Sequence, residues 1–197
     1  HGRGVFGLDP QQLGAFALEA SLRVPERTVT VLVGESGSGK TTLLRLMAGL
    51  DRPDSGRVLM DGADVTHLPV RRRRVAMVYQ QFINYPTLSV YENIASPLRV
   101  AGLSRGEIED KVRAAARLLR LDAFLSRTPR ELSGGQQQRT AIARALVKGA
   151  DLVLMDEPLA NLDYKLREEL REELPRVFEA SGAVFVYAST EPAEALM

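Results

Sequence analysis

The 197-residue chain has no cysteine, which excludes disulfides and thiolate metal sites and fits a reducing compartment. Its two histidines, His1 and His67, are too few to assemble a metal cluster. No apolar run approaches the roughly 18 residues of a membrane span. The start, His1-Gly2-Arg3-Gly4, lacks the charged-then-apolar layout of a signal peptide. Any membrane role is therefore expected to be borrowed from partner chains. An excess of one charge is also absent: at a net +1 the electrostatic case for a nucleic-acid partner falls away. What remains is 45% hydrophobic, enough for one core and a subdomain. The opening without methionine and the stop at Met197, after a strand-like run and its loop, read as a fragment cut short at its C-terminal side.

Short apolar runs at Val29–Val33, Val75–Val78, Leu152–Met155 and Ala183–Tyr187 read as buried strands. Such runs alternating with helical stretches predict a parallel α/β sheet. Apolar residues at helical spacing over Glu107–Leu121 and Gln136–Val147 predict a mostly helical middle. The expected division is one domain: a core of residues 1–82 and 148–197 with a small β part, and an inserted helical subdomain over 83–147. The quartet Arg71 to Arg74 reads as solvated at the edge of a turn. The stripe Leu162, Leu166, Leu170, Leu174 and Phe178 reads as a packing face, with a kink or break expected at Pro175.

The strand Val29–Val33 leads into Gly34-Glu35-Ser36-Gly37-Ser38-Gly39-Lys40-Thr41, and Thr42 opens a helix-compatible run. Glycines let the backbone turn its N–H groups inward around phosphate oxygens, and the helix start adds partial positive charge. Lys40 reaches the terminal phosphates and Thr41 offers a hydroxyl to Mg²⁺. This loop alone says P-loop NTPase, a class that includes kinases, GTPases and motors. The run Leu152–Met155 delivers Asp156-Glu157-Pro158 at its carboxyl end, where parallel sheets place ligands. Asp156 is the natural Mg²⁺ partner, and Glu157, taken to point the other way along the strand, the general base for an attacking water.

Leu132-Ser133-Gly134-Gly135-Gln136-Gln137-Gln138-Arg139 chooses within that class, because it resembles the ABC signature almost letter for letter. Its serine and glycines expose N–H groups at a helix start, a second anion-facing end. The resemblance covers nearly the whole chain from about Phe16. It implies a RecA-like core with a helical subdomain, and two such domains closing head to tail over two ATP molecules. Ser133, Gly134, Gly135 and Gln136 would meet the γ-phosphate held by the other subunit. Gln80 would be the residue near Mg²⁺ and water, and Asp163 the acid at the dimer seam. The stretch Tyr85–Asn93 is similar to that of carbohydrate-importer ATPases related to the maltose system, where it docks a helix of the permease. The resemblance thus implies a peripheral subunit on the cytoplasmic face of the membrane, with sugars or polyols such as glycerol as cargo.

The chain departs from the family after Tyr187. Where Thr-His-Asp is usual, it has Ser189-Thr190-Glu191, and Thr190 replaces the switch histidine. A threonine can donate a hydrogen bond but carries no charge, so transition-state stabilisation is expected to fall by roughly 10²–10³ if nothing compensates. Phe6 and Phe16 are both candidates to stack on adenine, and neither is chosen. Two other readings stay open: a non-transport ABC ATPase acting on DNA or ribosomes, and a dimerising ATP-binding module with weak turnover. No sustained heptads lie between Lys40 and Ser133, which disfavours the DNA-repair branch.

Overall fold

The computed structural model describes residues 4–6, 17–26, 28–81 and 83–196. Chain order is β1 (Gly4–Phe6), β2 (Ala20–Leu22), β3 (Val29–Val33), α1 (Lys40–Ala48), β4 (Leu59–Met60), β5 (Ala63–Asp64) and β6 (Val75–Val78). There follow α2 (Val90–Val100), α3 (Arg105–Leu118), α4 (Gly134–Val147), β7 (Leu152–Asp156), α5 (Tyr164–Ser181) and β8 (Val184–Ser189). Four strands form one parallel sheet in the order β3-β8-β7-β6. The small pairs β1-β2 and β4-β5 are antiparallel.

Both faces of this sheet are covered, which is why its strands read as unbroken apolar runs. In β7 the side chains alternate between two cores. Val153 and Met155 pack with Ile94, Val112, Ile142 and Leu170 from the helices of the middle and of α5. Leu152 and Leu154 pack with Leu44, Leu46 and Met47 of α1 and with the small β pairs. The inserted segment between β6 and β7 is helical because three Ser-x-x-Glu/Gln capping boxes start its helices: Ser89 with Glu92, Ser104 with Glu107, Ser133 with Gln136.

Three sequence expectations need correction. The helix read over Glu107–Leu121 starts at Arg105 and ends at Leu118, because the Ser104 box sets its first turn. α5 runs unbroken through Pro175. A proline in a helix costs about 3 kcal/mol, but Leu170, Leu174, Val177 and Phe178 are all buried, and burying such side chains contributes about 1.5–3 kcal/mol each. Leu162 precedes this helix, which begins after the N-cap Asp163.

The arginine quartet is the third. Arg71, Arg72 and Arg74 are exposed, but Arg73 is 4% exposed. Its Nη1 donates to Leu46 O and Met47 O at 3.1 and 2.9 Å, its Nη2 to Thr66 O at 3.0 Å and its Nε to Leu68 O at 3.1 Å. A single guanidinium thereby supplies a donor to Met47 O at the end of α1 and a second one to Leu46 O, which also accepts the Gly49 amide. Burial lowers its pKa from the ordinary arginine value. Gly49 makes room, since a Cβ there would lie 2.5 Å from the Arg73 guanidinium. Arg73→Met is expected to destabilise the chain by about 3 kcal/mol, from carbonyls left without a donor. For this size that lowers Tm by roughly 6–12 °C. A melt within about 2 °C of wild type would refute the assignment.

Candidate functional site

The phosphate loop joins β3 to α1. Its fold is set by left-handed backbone at Gly37 (φ 82°) and Gly39 (φ 93°), a region that favours glycine. At Gly34 the space is tight: a Cβ there would lie 2.8 Å from Ser38 Oγ, so that hydroxyl would have to turn away. Gly39 caps α1 without a side chain, and no acidic residue occupies the first turn. The amides of Gly37, Gly39, Lys40, Thr41 and Thr42 donate no hydrogen bond among the described residues. A ring of free N–H groups at the positive end of a helix is what a phosphate takes.

Lys40 lies inside this ring, 9% exposed. Its Nζ donates to Gly34 O at 2.7 Å and Glu35 O at 2.8 Å, and sits 3.5 Å from Glu157 Oε1. The ammonium therefore already has carbonyl and carboxylate oxygens around it, the partners that phosphate oxygens would replace. Thr41 Oγ1 donates to Asp156 Oδ1 at 2.9 Å. This hydroxyl–carboxylate pair suits Mg²⁺, which keeps several waters and needs only one or two protein oxygens beside a phosphate. Among the described residues no group of three or more His, Asp or Glu side chains is arranged to hold a metal alone.

Burial raises the Asp156 carboxyl above its ordinary value; Glu157 adds to the shift, and the Thr41 hydrogen bond and Lys40 oppose it. The folded chain thus holds this proton more tightly than the unfolded chain. Ionised Asp156 costs stability, a cost absent below the ordinary pKa of 3.8 and complete once the pH exceeds the raised folded value. Asp156→Asn is accordingly expected to raise the Tm of the nucleotide-free chain at pH 7, with the gain vanishing towards pH 3–4. It should also lower Mg²⁺-dependent turnover by about 10²–10³, the equivalent of several kcal/mol of lost charge stabilisation. Melting curves across pH, with and without Mg²⁺-ATP, check both; a lower Tm at pH 7 would contradict the stated sign.

Glu157 does not continue the strand, contrary to the alternation argument. It lies just beyond β7 with φ 45°, its N–H donating to Ala188 O at 2.9 Å, and this left-handed turn aims its carboxylate at Lys40. Thr190 follows Ser189, whose carbonyl accepts the Gly34 amide at 3.2 Å, so the end of β8 abuts the start of the phosphate loop. Gln80 is exposed. Its carbonyl accepts from Asn161 Nδ2 at 3.0 Å, and no hydrogen bond among the described residues brings its side chain to the cradle.

In the signature segment, Ser133 Oγ accepts from Gln136 N and Gln136 Oε1 accepts from Ser133 N. These mutual bonds occupy Ser133 and Gln136 and leave the Gly134 and Gly135 amides as the open donors of α4. Gly135 packs on α5, where a Cβ would stand 3.2 Å from Leu166 Cδ2. No hydrogen bond among the described residues ties Ser133–Gln136 to the Gly34–Thr42 cradle of the same chain. Asp163 caps α5, its Oδ1 accepting from Leu166 N at 3.1 Å. Phe16 lies outside the described residues, and of Phe6 only the backbone is described.

Sequence reading missed a groove of about 870 Å³ between the middle helices and β6, floored by Ala76, Leu98 and Ala145. Its charged lining is wholly cationic: Arg71, Arg73, Arg74, Lys111, Arg144 and Lys148. Arg144 stacks 4.8 Å from the centre of the Tyr85 ring, and burial lowers its pKa. The signal available in the sequence was an arginine within the otherwise small and apolar Ala141–Leu146 run.

A parallel sheet with a glycine cradle at one strand end and paired carboxylates at another defines the P-loop NTPase fold. The chain belongs to the ABC transporter family, whose sequence model matches residues 18–160. The sn-glycerol-3-phosphate import ATP-binding protein UgpC of Salmonella typhi is 46% identical over 176 residues, 89% of this chain and 49% of that protein. The spermidine/putrescine import ATP-binding protein PotA of Escherichia coli is 46% identical over 165 residues, 84% of this chain and 44% of that protein. The chain thus spans about half the length of these curated relatives. Among solved structures, the dimeric ATP-binding cassette MJ0796, in a post-hydrolysis state with ADP and Pi, superposes with a TM-score of 0.80. That match has 29% identity and covers 98% of this chain and 89% of the other.

Proposed function

We propose that this chain binds and hydrolyses ATP to energise an importer whose permease subunits are separate chains, working from the cytoplasmic face of the membrane. The observation that carries the hydrolytic reading is the convergence of Lys40, Thr41, Asp156 and Glu157 on one cradle. The loop from Gly34 to Thr42, including Glu35, Ser36 and Ser38, holds the phosphates through the free amides of Gly37, Gly39, Lys40, Thr41 and Thr42, and Lys40 trades its carbonyl partners for phosphate oxygens. Thr41 and Asp156, joined by Gln80 from the segment after β6, would hold Mg²⁺. The ion, when bound, neutralises charge on the β and γ oxygens. Glu157 takes a proton from the water whose oxygen bonds to the γ-phosphorus; the bond to the bridging oxygen breaks and its electron pair leaves with ADP. Thr190 donates to the γ-phosphoryl oxygens.

Ser133, Gly134, Gly135 and Gln136 act on the nucleotide of a second ATPase subunit, with Asp163 at the seam. The dimeric neighbour and the open amides of α4 support this. The permease docks in the basic groove, whose lining favours a segment bearing carboxylates. None of the described helices is long and apolar enough to cross a membrane. We place the cargo among sugars and polyols, supported by likeness to a glycerol-3-phosphate import protein; equal identity to a polyamine import protein makes polyamines the competing outcome. We divide the chain as read from sequence, with core 1–82 and 148–197 and helical subdomain 83–147.

The test is Mg²⁺-dependent phosphate release from ATP by the purified chain, with Lys40→Ala as the control for contaminating ATPases. Release above that control is expected, and equal rates would reject hydrolysis. Co-purification with a permease, and not with nucleic acid, is the expected partner result.

A further inference from the structure

Thr190 sits in the two-residue link, Thr190-Glu191, between β8 and a short 3₁₀ turn at Pro192–Leu196, a stretch with few apolar side chains to fix it. Within the loop, Glu191 N donates to Ser189 Oγ at 2.9 Å and Glu194 N to Glu191 O at 3.0 Å. The loop is tied from outside by α5. Arg171 Nη2 donates to Ala193 O at 2.8 Å, and Arg167 Nη1 lies 3.5 Å from Glu191 Oε1. Glu194 is 5% exposed beside the fully buried Tyr187. That phenol has no well-formed hydrogen bond, yet burial and then the Glu194 carboxylate raise its pKa.

From these contacts we infer that Arg171, assisted by Arg167, positions Thr190 for the hydrolytic reaction. The inference rests on the hydrolytic reading above. The loop's other end is held to the phosphate cradle through the Ser189 carbonyl and the Gly34 amide. Arg171 therefore closes the far side of a short span with Thr190 inside it. Releasing Ala193 lets Thr190 drift, and a displacement of about 1 Å at a reacting centre costs on the order of 10²-fold in rate. The same helix begins after its N-cap Asp163, two residues beyond Asn161, which bonds the Gln80 carbonyl. α5 is thus a strut between the switch loop and the segment after β6, and its two arginines pass its position to Thr190.

Arg171→Ala is expected to lower kcat for ATP by roughly 10–10²-fold, with ATP affinity of the free chain within about twofold of wild type. Arg171→Lys, which still offers a donor to Ala193 O, should recover most of the loss. In a Thr190→Val background the Arg171→Ala substitution should cost almost nothing further, because two changes acting through one group do not add. A full additive loss there, an unchanged kcat in the single variant, or a parallel loss of ATP affinity and Tm would each overturn the positioning role. Wild-type turnover no faster than Lys40→Ala would instead reject the hydrolytic reading, and this inference with it.

Discussion

Glu157→Gln is expected to slow Mg²⁺-ATP turnover by roughly 10²–10⁴-fold, the range that loss of a general base produces. The substitution keeps the side-chain volume and the Ala188 hydrogen bond of the backbone, so the turn itself should survive. That turn is informative. A non-glycine residue in the left-handed region costs of order 1–3 kcal/mol and persists where surrounding structure imposes it. Here the imposition aims a carboxylate at Lys40, 3.5 Å away. The glutamine variant should bind ATP without consuming it and accumulate as a nucleotide-held dimer, seen as a doubled mass in light scattering with Mg²⁺-ATP. Turnover within about threefold of wild type would remove Glu157 from the role of base.

Thr190→Val is expected to lower kcat by about 10²–10³, the cost of losing one donor to developing charge. Valine has nearly the shape of threonine, so packing against the end of β8 is kept and only the hydroxyl is lost. No hydrogen bond among the described residues uses the Thr190 hydroxyl, which leaves it available to a γ-phosphoryl oxygen. Thr190→His is the complementary variant and should raise turnover above wild type, because an imidazole reaches farther and can carry charge. Single-turnover kinetics separate these effects from nucleotide binding. If valine leaves the rate intact, Thr190 is not the donor, and no gain from histidine would show that this position does not limit the rate.

How much was legible depends on how local the physics is. The strand cores were, because a parallel strand covered on both faces must be apolar, as β7 is from Leu152 to Met155. The phosphate cradle was, because Gly37 and Gly39 need their special backbone angles whatever surrounds them. The capping boxes Ser89/Glu92 and Ser104/Glu107 are equally local, and they set where α2 and α3 begin. Arg73 was misread because its neighbours Arg71, Arg72 and Arg74 look identical in sequence and differ only in what the fold packs against them. Of the kink or break expected at Pro175, the break does not occur, because the buried stripe of α5 favours continuity more strongly than local propensity opposes it.

The sequence by itself determined the chemistry offered: a glycine loop with Lys40 and Thr41, a carboxylate pair at Asp156 and Glu157, and a signature helix opening at Ser133. Each is a pattern over a few consecutive residues, where bonding geometry leaves little choice. Only the tertiary structure decided which of them meet. Thr41 and Asp156 bond across a separation of 115 residues because the sheet order sets β8 between β3 and β7. The same order lays the end of β8 against Gly34, turns Glu157 towards Lys40, and places α5 where Arg171 reaches Ala193. Strand order is settled by the summed burial of both sheet faces, a property of the whole chain that no short stretch of residues encodes.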